Sequence, residues 1–256
     1  MLLAVDIGNT QTVLGVYDGD QLMRSWRLAT RLSSTADELY LDLKGLLSLN
    51  VQPGQKTQNI TATAIASVVP PLTEQWYKVG HSLTGAEPLV LTSSTDTGLT
   101  YRYRDPSEIG ADRIADAVAA IALYGAPVIV VDFGTATNIE VIDKDGSFVG
   151  GIIAPGLTTS AEALFFAAAR LPRIDIEIPD SVIGYDTKGA VQSGLTYGEI
   201  DRIDGLVERV FAELGYQCPV IATGGLSFRV LDLSRVITAV NESLTLEGLR
   251  LIFERQ

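Results

Sequence analysis

Two carboxylates stand at the same point of two similar segments. Leu2–Gly8 reads L-L-A-V-D-I-G, and Val128–Gly134 reads V-I-V-V-D-F-G. Asp6 and Asp132 are 126 positions apart, as are Gly8 and Gly134. Each Asp ends an apolar run, and each Gly opens a Thr-rich turn: Asn9-Thr10-Gln11-Thr12 in the first segment, Thr135-Ala136-Thr137 in the second. Such a turn between two strands aims backbone N–H groups and hydroxyls at an anion. An Asp at the strand end can hold a hydrated metal cation. Two of these turns together can clamp a polyphosphate and its Mg²⁺, which is the positioning and charge neutralisation that phosphoryl transfer requires. That chemistry also needs a carboxylate to orient or deprotonate the attacking hydroxyl. Asp112, in Gly110-Ala111-Asp112-Arg113, is the candidate. Arg113 beside it offers a planar fork for a substrate carboxylate. From spacing alone, the pair reads equally well as a helix-start Asp and a solvated Arg. A third element, Ile221-Ala222-Thr223-Gly224-Gly225, follows an apolar strand, and its glycines allow close approach of a ligand. Taken singly it is an ordinary strand-to-helix turn.

Other chemistries are poorly supplied. The chain of 256 residues has one His, His81, and one Cys, Cys218. That excludes an intrachain disulfide framework and the usual zinc sites, and it fits a reducing, cytoplasmic setting. His81 lies in a polar stretch without a nearby motif and reads as a surface residue. There is no G-x-x-x-x-G-K-[ST] and no G-x-S-x-G. Apolar runs such as Ala126–Val131 are too short to span a bilayer, and no secretory leader opens the chain. The formal net charge of −12 argues against nucleic acid and anionic membranes as partners. Only five Lys are present, so small anions must be held by backbone N–H groups, hydroxyls, Arg113 and bound cations.

The elements that must position these residues follow from patterning. Leu2–Val5 and Val13–Tyr17 read as strands, Asp18-Gly19 as a hairpin turn, and Leu22–Leu28 as a third strand. Thr35-Ala36-Asp37-Glu38 fits a capping box ahead of Leu39, Leu43, Leu46 and Leu47 at helical spacing. Ile60–Val69 reads as a buried strand stopped by Pro70-Pro71. Asp105-Pro106-Ser107-Glu108 predicts a second helix start, with the helix running to about Tyr124 and capped by Gly125. The strand-turn-strand repeat at half the chain length predicts two similar α/β domains, residues 1–125 and 126–256.

The duplicated turns and the later Gly-Gly turn resemble the actin, hexokinase and Hsp70 superfamily. Further motifs narrow the likeness: Asp6–Thr12, Ser67–Leu72 (S-V-V-P-P-L), Gly110–Arg113, Asp132–Thr137, Gly150–Leu157 (G-G-I-I-A-P-G-L), Ser193-Gly194, Thr223–Leu226 and Leu244–Leu251 (L-T-L-E-G-L-R-L). In that order, over nearly the full chain, they resemble type III pantothenate kinases. The resemblance implies two actin-like (ribonuclease H-like) domains with mixed sheets and flanking helices. It implies ATP-dependent phosphorylation of the pantothenate 4′-hydroxyl, the first step toward coenzyme A. Carried over by position, Asp6, Ile7, Gly8, Asn9, Thr10, Gln11, Thr12, Val13 and Thr135 contact ATP, and Asp112 is the proton acceptor. Tyr103, Gly110, Ala111, Asp112 and Arg113 contact pantothenate. Asp132 binds a monovalent cation, K⁺ or NH₄⁺, alongside Mg-ATP. Thr187 reaches pantothenate across a homodimer interface, which the apolar stretch Ala161–Ala169 could line, although core burial explains that stretch as well.

The chain departs from the family at Gln11, usually Asn; at Thr137-Asn138-Ile139-Glu140, usually Thr-Thr-Phe-Asp; and at Ser93–Asp96, where Gly-Pro-Gly is usual. Two other readings stay open: a kinase or phosphatase for another small hydroxylated substrate, and a non-catalytic regulatory or accessory relative.

Overall fold

The structure, a computed structural model, describes residues 1–49, 59–168, 171, 173–225, 227 and 232–256. Ala169 and Leu226, which fall in two of the stretches above, lie outside the described residues. The chain divides into two units, Met1–Ala122 with Leu244–Gln256, and Leu123–Ser243.

The first unit is built on β1 (Leu2–Ile7), β2 (Gln11–Asp18), β3 (Gln21–Ala29), β4 (Ala62–Ser67) and β5 (Leu89–Val90), in the order β3-β2-β1-β4-β5. β1 is antiparallel to β2 and parallel to β4. As an inner strand, β1 is apolar on both faces, and Leu3, Ala4, Val5 and Ile7 have no exposed surface. Helix α1 (Ala36–Ser48) starts as predicted: Thr35 accepts the Glu38 N–H, and the Glu38 carboxylate accepts the Thr35 N–H at 2.9 Å. Leu39 and Leu43, one turn apart, bury its inner face with Trp76 and Val79 of α2 (Pro70–Thr84) in one core. Pro70 and Pro71 both end the preceding strand and open α2, where their missing N–H groups leave no intrahelical bond unmade. The short strand β6 (Thr100–Tyr101) and helix α3 (Ala111–Tyr124) follow.

The second unit repeats the plan. β7 (Val128–Phe133), β8 (Ala136–Ile142), β9 (Ser147–Pro155), β10 (Val220–Gly224) and β11 (Ala239–Val240) run in the order β9-β8-β7-β10-β11. β7 is antiparallel to β8 and parallel to β10, matching β1, β2 and β4 strand for strand. Helices α4 (Leu157–Ala167) and α5 (Thr187–Leu214) lie between β9 and β10 in the chain. Ile200, Ile203 and Val207 of α5 close the core over Ile129, Val131 and Phe133. This is the duplicated actin-like arrangement expected.

Two expectations are corrected. Helix α6 (Leu244–Arg255) belongs with the first unit and not with the second half of the chain. The reason is close packing: a side chain at Gly248 would collide with the Ala115 carbonyl, and Thr245 donates to Asp116 at 2.7 Å. The helix predicted from Asp105 is instead a 3₁₀ turn, Pro106–Glu108, which Asp105 caps by accepting the Ser107 N–H at 3.0 Å. Ile109 is extended, and α3 begins only at Ala111, its first amide-to-carbonyl bond running from Ile114 to Gly110 at 3.1 Å.

Candidate active site

In the first unit the candidate residues gather at the C-terminal ends of the parallel strands β1 and β4, the usual ligand side of such sheets. Asp6 is half-buried near the end of β1, in register with Val13 and Ala66. The turn after it closes with the Gly8 N–H donating to the Gln11 carbonyl at 3.0 Å. Asn9, Thr10 and Gln11 are exposed on it, while Ile7 and Thr12 face inward. Beside the turn, the Val68 N–H donates to the Ile7 carbonyl at 3.1 Å, and a side chain on Gly110 would stand 3.4 Å from Val68. Gly110 in turn lies against Asp112 so closely that any Cβ there would strike the carboxylate. The absence of a side chain at 110 therefore gives the Asp112 carboxylate its space.

Asp112 occupies the first turn of α3, where a negative charge is favourable. Its Oδ1 accepts the Arg113 N–H at 2.9 Å. Burial pushes its carboxyl above the ordinary range, and that hydrogen bond and the Arg113 charge pull it back only in part. Arg113 is buried and is not a solvated surface arginine. Tyr103 is half-buried in the connection between β6 and the 3₁₀ turn.

In the second unit Asp132 is half-buried at the matching position of β7 and in register with Thr223 of β10. The Gly-Gly turn is what flanks it. Gly224 has φ 90°, and a Cβ there would lie 2.5 Å from Asp132 Oδ1 and 2.6 Å from the Phe133 carbonyl. Only glycine meets both demands. The second turn is one residue tighter than the first: the Gly134 N–H reaches the Ala136 carbonyl at 3.0 Å, with Thr135 exposed at the tip. Thr137 does not face out with Thr135. It is buried and donates to Glu199 of α5 at 2.6 Å, and Glu199 also pairs with Arg202.

Thr187 is the exposed first residue of α5, whose start Asp186 caps by accepting the Gly189 N–H at 2.7 Å. The segment before it lies along α5, held by Ser193 to the Val182 carbonyl, Tyr197 to the Pro179 carbonyl and Gln192 to the Asp175 carbonyl. It exposes Val182, Ile183 and Tyr185, and on α4 Phe166 is 94% exposed while Ala161 is buried. His81 is exposed on α2, 3.6 Å from Glu87.

Thr30, Thr159 and Glu199, which tie the turns to their surroundings, were absent from the candidate residues. Thr30 could have been suspected as the residue following β3 opposite the first turn. Nothing in local sequence marks Glu199. Among the described residues, no group of three or more His, Cys, Asp or Glu could hold a metal, and no helix is long and apolar enough to cross a membrane.

A family model described as type III pantothenate kinase matches residues 2–209. A type III pantothenate kinase of Roseiflexus sp. (strain RS-1) is 46% identical over 254 residues, covering 99% of this chain and 98% of its own. One from Geobacillus sp. (strain WCH70) is 43% identical over 255 residues, covering 100% and 98%. Among solved structures, the ethanolamine utilization protein EutJ from Carboxydothermus hydrogenoformans superposes with a TM-score of 0.59 at 16% identity, covering 98% of this chain and 89% of its own.

Proposed function

The chain belongs to the type III pantothenate kinase family, and from that premise we infer how its candidate residues divide the reaction. It is a kinase that transfers the γ-phosphoryl group of ATP to the 4′-hydroxyl of pantothenate, giving ADP and 4′-phosphopantothenate on the way to coenzyme A. Asp112 accepts the proton of the attacking hydroxyl. The observation that carries this is the placement of its carboxylate: in the first turn of α3, next to the β1 turn by way of Gly110 and Val68, with burial raising its basicity. Burial raises the proton affinity of this carboxyl, which suits a group that takes a proton from the attacking hydroxyl.

The loop Asp6–Val13 and Thr135 hold the ATP phosphates. Asn9, Thr10, Gln11 and Thr135 are the exposed tip residues suited to that contact. Gln11, in place of the usual Asn, still presents an amide from this exposed position. Arg113 pairs with the pantothenate carboxylate, and Tyr103 lies against the substrate body. A strand-end carboxylate such as Asp6 suits Mg²⁺, which keeps most of its waters and is held by one or two carboxylates plus phosphates. Asp132, with Gly224 packed on it, fits a monovalent cation, K⁺ or NH₄⁺. When bound, these ions neutralise charge on the phosphates, which the chain's five lysines do little to supply. The enzyme is a cytoplasmic homodimer in which Thr187 reaches the partner's pantothenate. Exposed Val182, Ile183 and Tyr185, just before Thr187 in the chain, support an interface there, and exposed Phe166 on α4 offers further apolar surface.

Mixing protein, Mg-ATP, K⁺ and pantothenate and following ADP release tests the reading. Pantothenate-dependent ADP is expected. A folded dimer that binds ATP but releases none would favour the non-catalytic alternative, and turnover with other hydroxylated acceptors only would move the substrate.

A further inference from the structure

The two phosphate turns share a feature that the strand pairing makes exact in position but different in chemistry. Thr30 and Gly156 are equivalent, each following the third strand of its sheet, since Ala29 pairs with Gln11 and Pro155 with Ala136. Each donates its backbone N–H to a carbonyl of the turn: Thr30 to Thr10 at 2.9 Å, and Gly156 to Thr135 at 3.0 Å. A threonine hydroxyl then adds a second tie. In the first unit, Thr30 Oγ1 donates to the Gly8 carbonyl at 2.8 Å. That uses its one proton, so Thr12, 3.0 Å away, donates to Thr30. In the second unit, Thr159 Oγ1 of α4 donates to the Thr135 carbonyl at 2.6 Å, and Gly156 sits so close that a side chain would strike the Gly134 carbonyl.

A turn that wraps an anion must present N–H groups and keep its carbonyl oxygens away, because each carbonyl facing a phosphate adds repulsion. In each turn one carbonyl is engaged by a threonine hydroxyl, Gly8 by Thr30 and Thr135 by Thr159, and one accepts the backbone N–H of the residue after the third strand. We propose that Thr30 and Thr159 are positioning residues for nucleotide binding, each holding the carbonyls of one phosphate turn away from the anion. Each acts through the backbone of its turn, where its hydroxyl proton is engaged. The proposal rests on the reading of these turns as the ATP phosphate site.

The test measures ADP and non-hydrolysable ATP-analogue affinity, KM for ATP, KM for pantothenate and thermal midpoint for Thr30→Val, Thr30→Ser, Thr159→Val and Thr159→Ser. Loss of one tie is expected to weaken nucleotide binding about five- to tenfold. KM for ATP should rise in parallel while KM for pantothenate holds, and the Ser variants should restore both. A Val variant with a lower thermal midpoint but unchanged nucleotide affinity would reduce the residue to a fold brace and overturn the proposal. If Thr30→Val does not fold, Thr159→Val decides by the same readout. Wild-type protein that binds no nucleotide would overturn the phosphate-site reading itself, and the proposal with it.

Discussion

Gly224 stands against Asp132 with no room for another atom between them: a Cβ on Gly224 would lie 2.5 Å from the Asp132 carboxylate. Gly224→Ala must therefore displace Asp132, and it also places an L side chain at φ 90°, costing about 1–2 kcal/mol. We expect the thermal midpoint to fall by several degrees and the K⁺ concentration for half-maximal activity to rise. Activity measured across a KCl titration, with melting in parallel, separates the two effects. An unchanged K⁺ requirement would detach Asp132 from the cation.

Cation dependence itself should be steep. Replacing K⁺ and NH₄⁺ by Na⁺ at constant ionic strength should collapse turnover while leaving the fold, read by circular dichroism, intact. Equal rates in Na⁺ would remove the monovalent site.

Asp112→Asn keeps the shape of the side chain and removes the base. Turnover should fall about 10²- to 10⁴-fold with nucleotide affinity retained. Burial raises the folded-state pKa of Asp112, so the group favours folding below its unfolded pKa and costs stability as pH rises through its folded pKa. At neutral pH the Asn variant should accordingly melt no lower than wild type. A variant that turns over at the wild-type rate would exclude Asp112 as the base.

The same shift sets the acid limb of the pH profile. The active form of Asp112 is deprotonated, so kcat/KM should climb with pH and level off above a midpoint that lies higher than the ordinary carboxylate range. A midpoint at or below that range would contradict the buried environment of Asp112 or its role.

Sedimentation should give a particle of twice 27.4 kDa. Ile183→Asp puts a charge on an exposed apolar residue four positions before Thr187. It should yield monomer with native helicity and little turnover at saturating ATP. Full activity in that monomer would end the assignment of Thr187 to a partner's site.

Much of the fold was legible because it is written in local terms. The Asp-x-Gly repeat, the apolar runs of β1 and β7 and the Thr35–Glu38 box depend on neighbours within a few residues. The return of α6 was not legible, because Gly248 against Ala115 joins residues 133 positions apart, and the sequence of neither marks the other. Asp105 carried a true cap signal, but the helix it promised breaks at Ile109. For the candidate site, Asp6, Asp112 and Asp132 stand out by residue type and spacing. Thr137 shares a Thr-rich turn with Thr135, yet its direction depends on which partner the fold supplies, here Glu199 on α5.

The order of synthesis gives the position of α6 a further meaning. Leu123–Ser243 is, in chain order, an insertion within the first unit, and residues 244–255 are made only after all of it. Until then the helix that packs against β1, β2 and β4 is missing, and Gly15 of β2 lacks the Leu246 side chain that lies over it. Every strand and helix of the inserted unit is made before α6, whereas the unit that carries Asp112 must wait for α6. Translation stalled before residue 244 should therefore leave a chain with one folded half and one that remains prey to proteases.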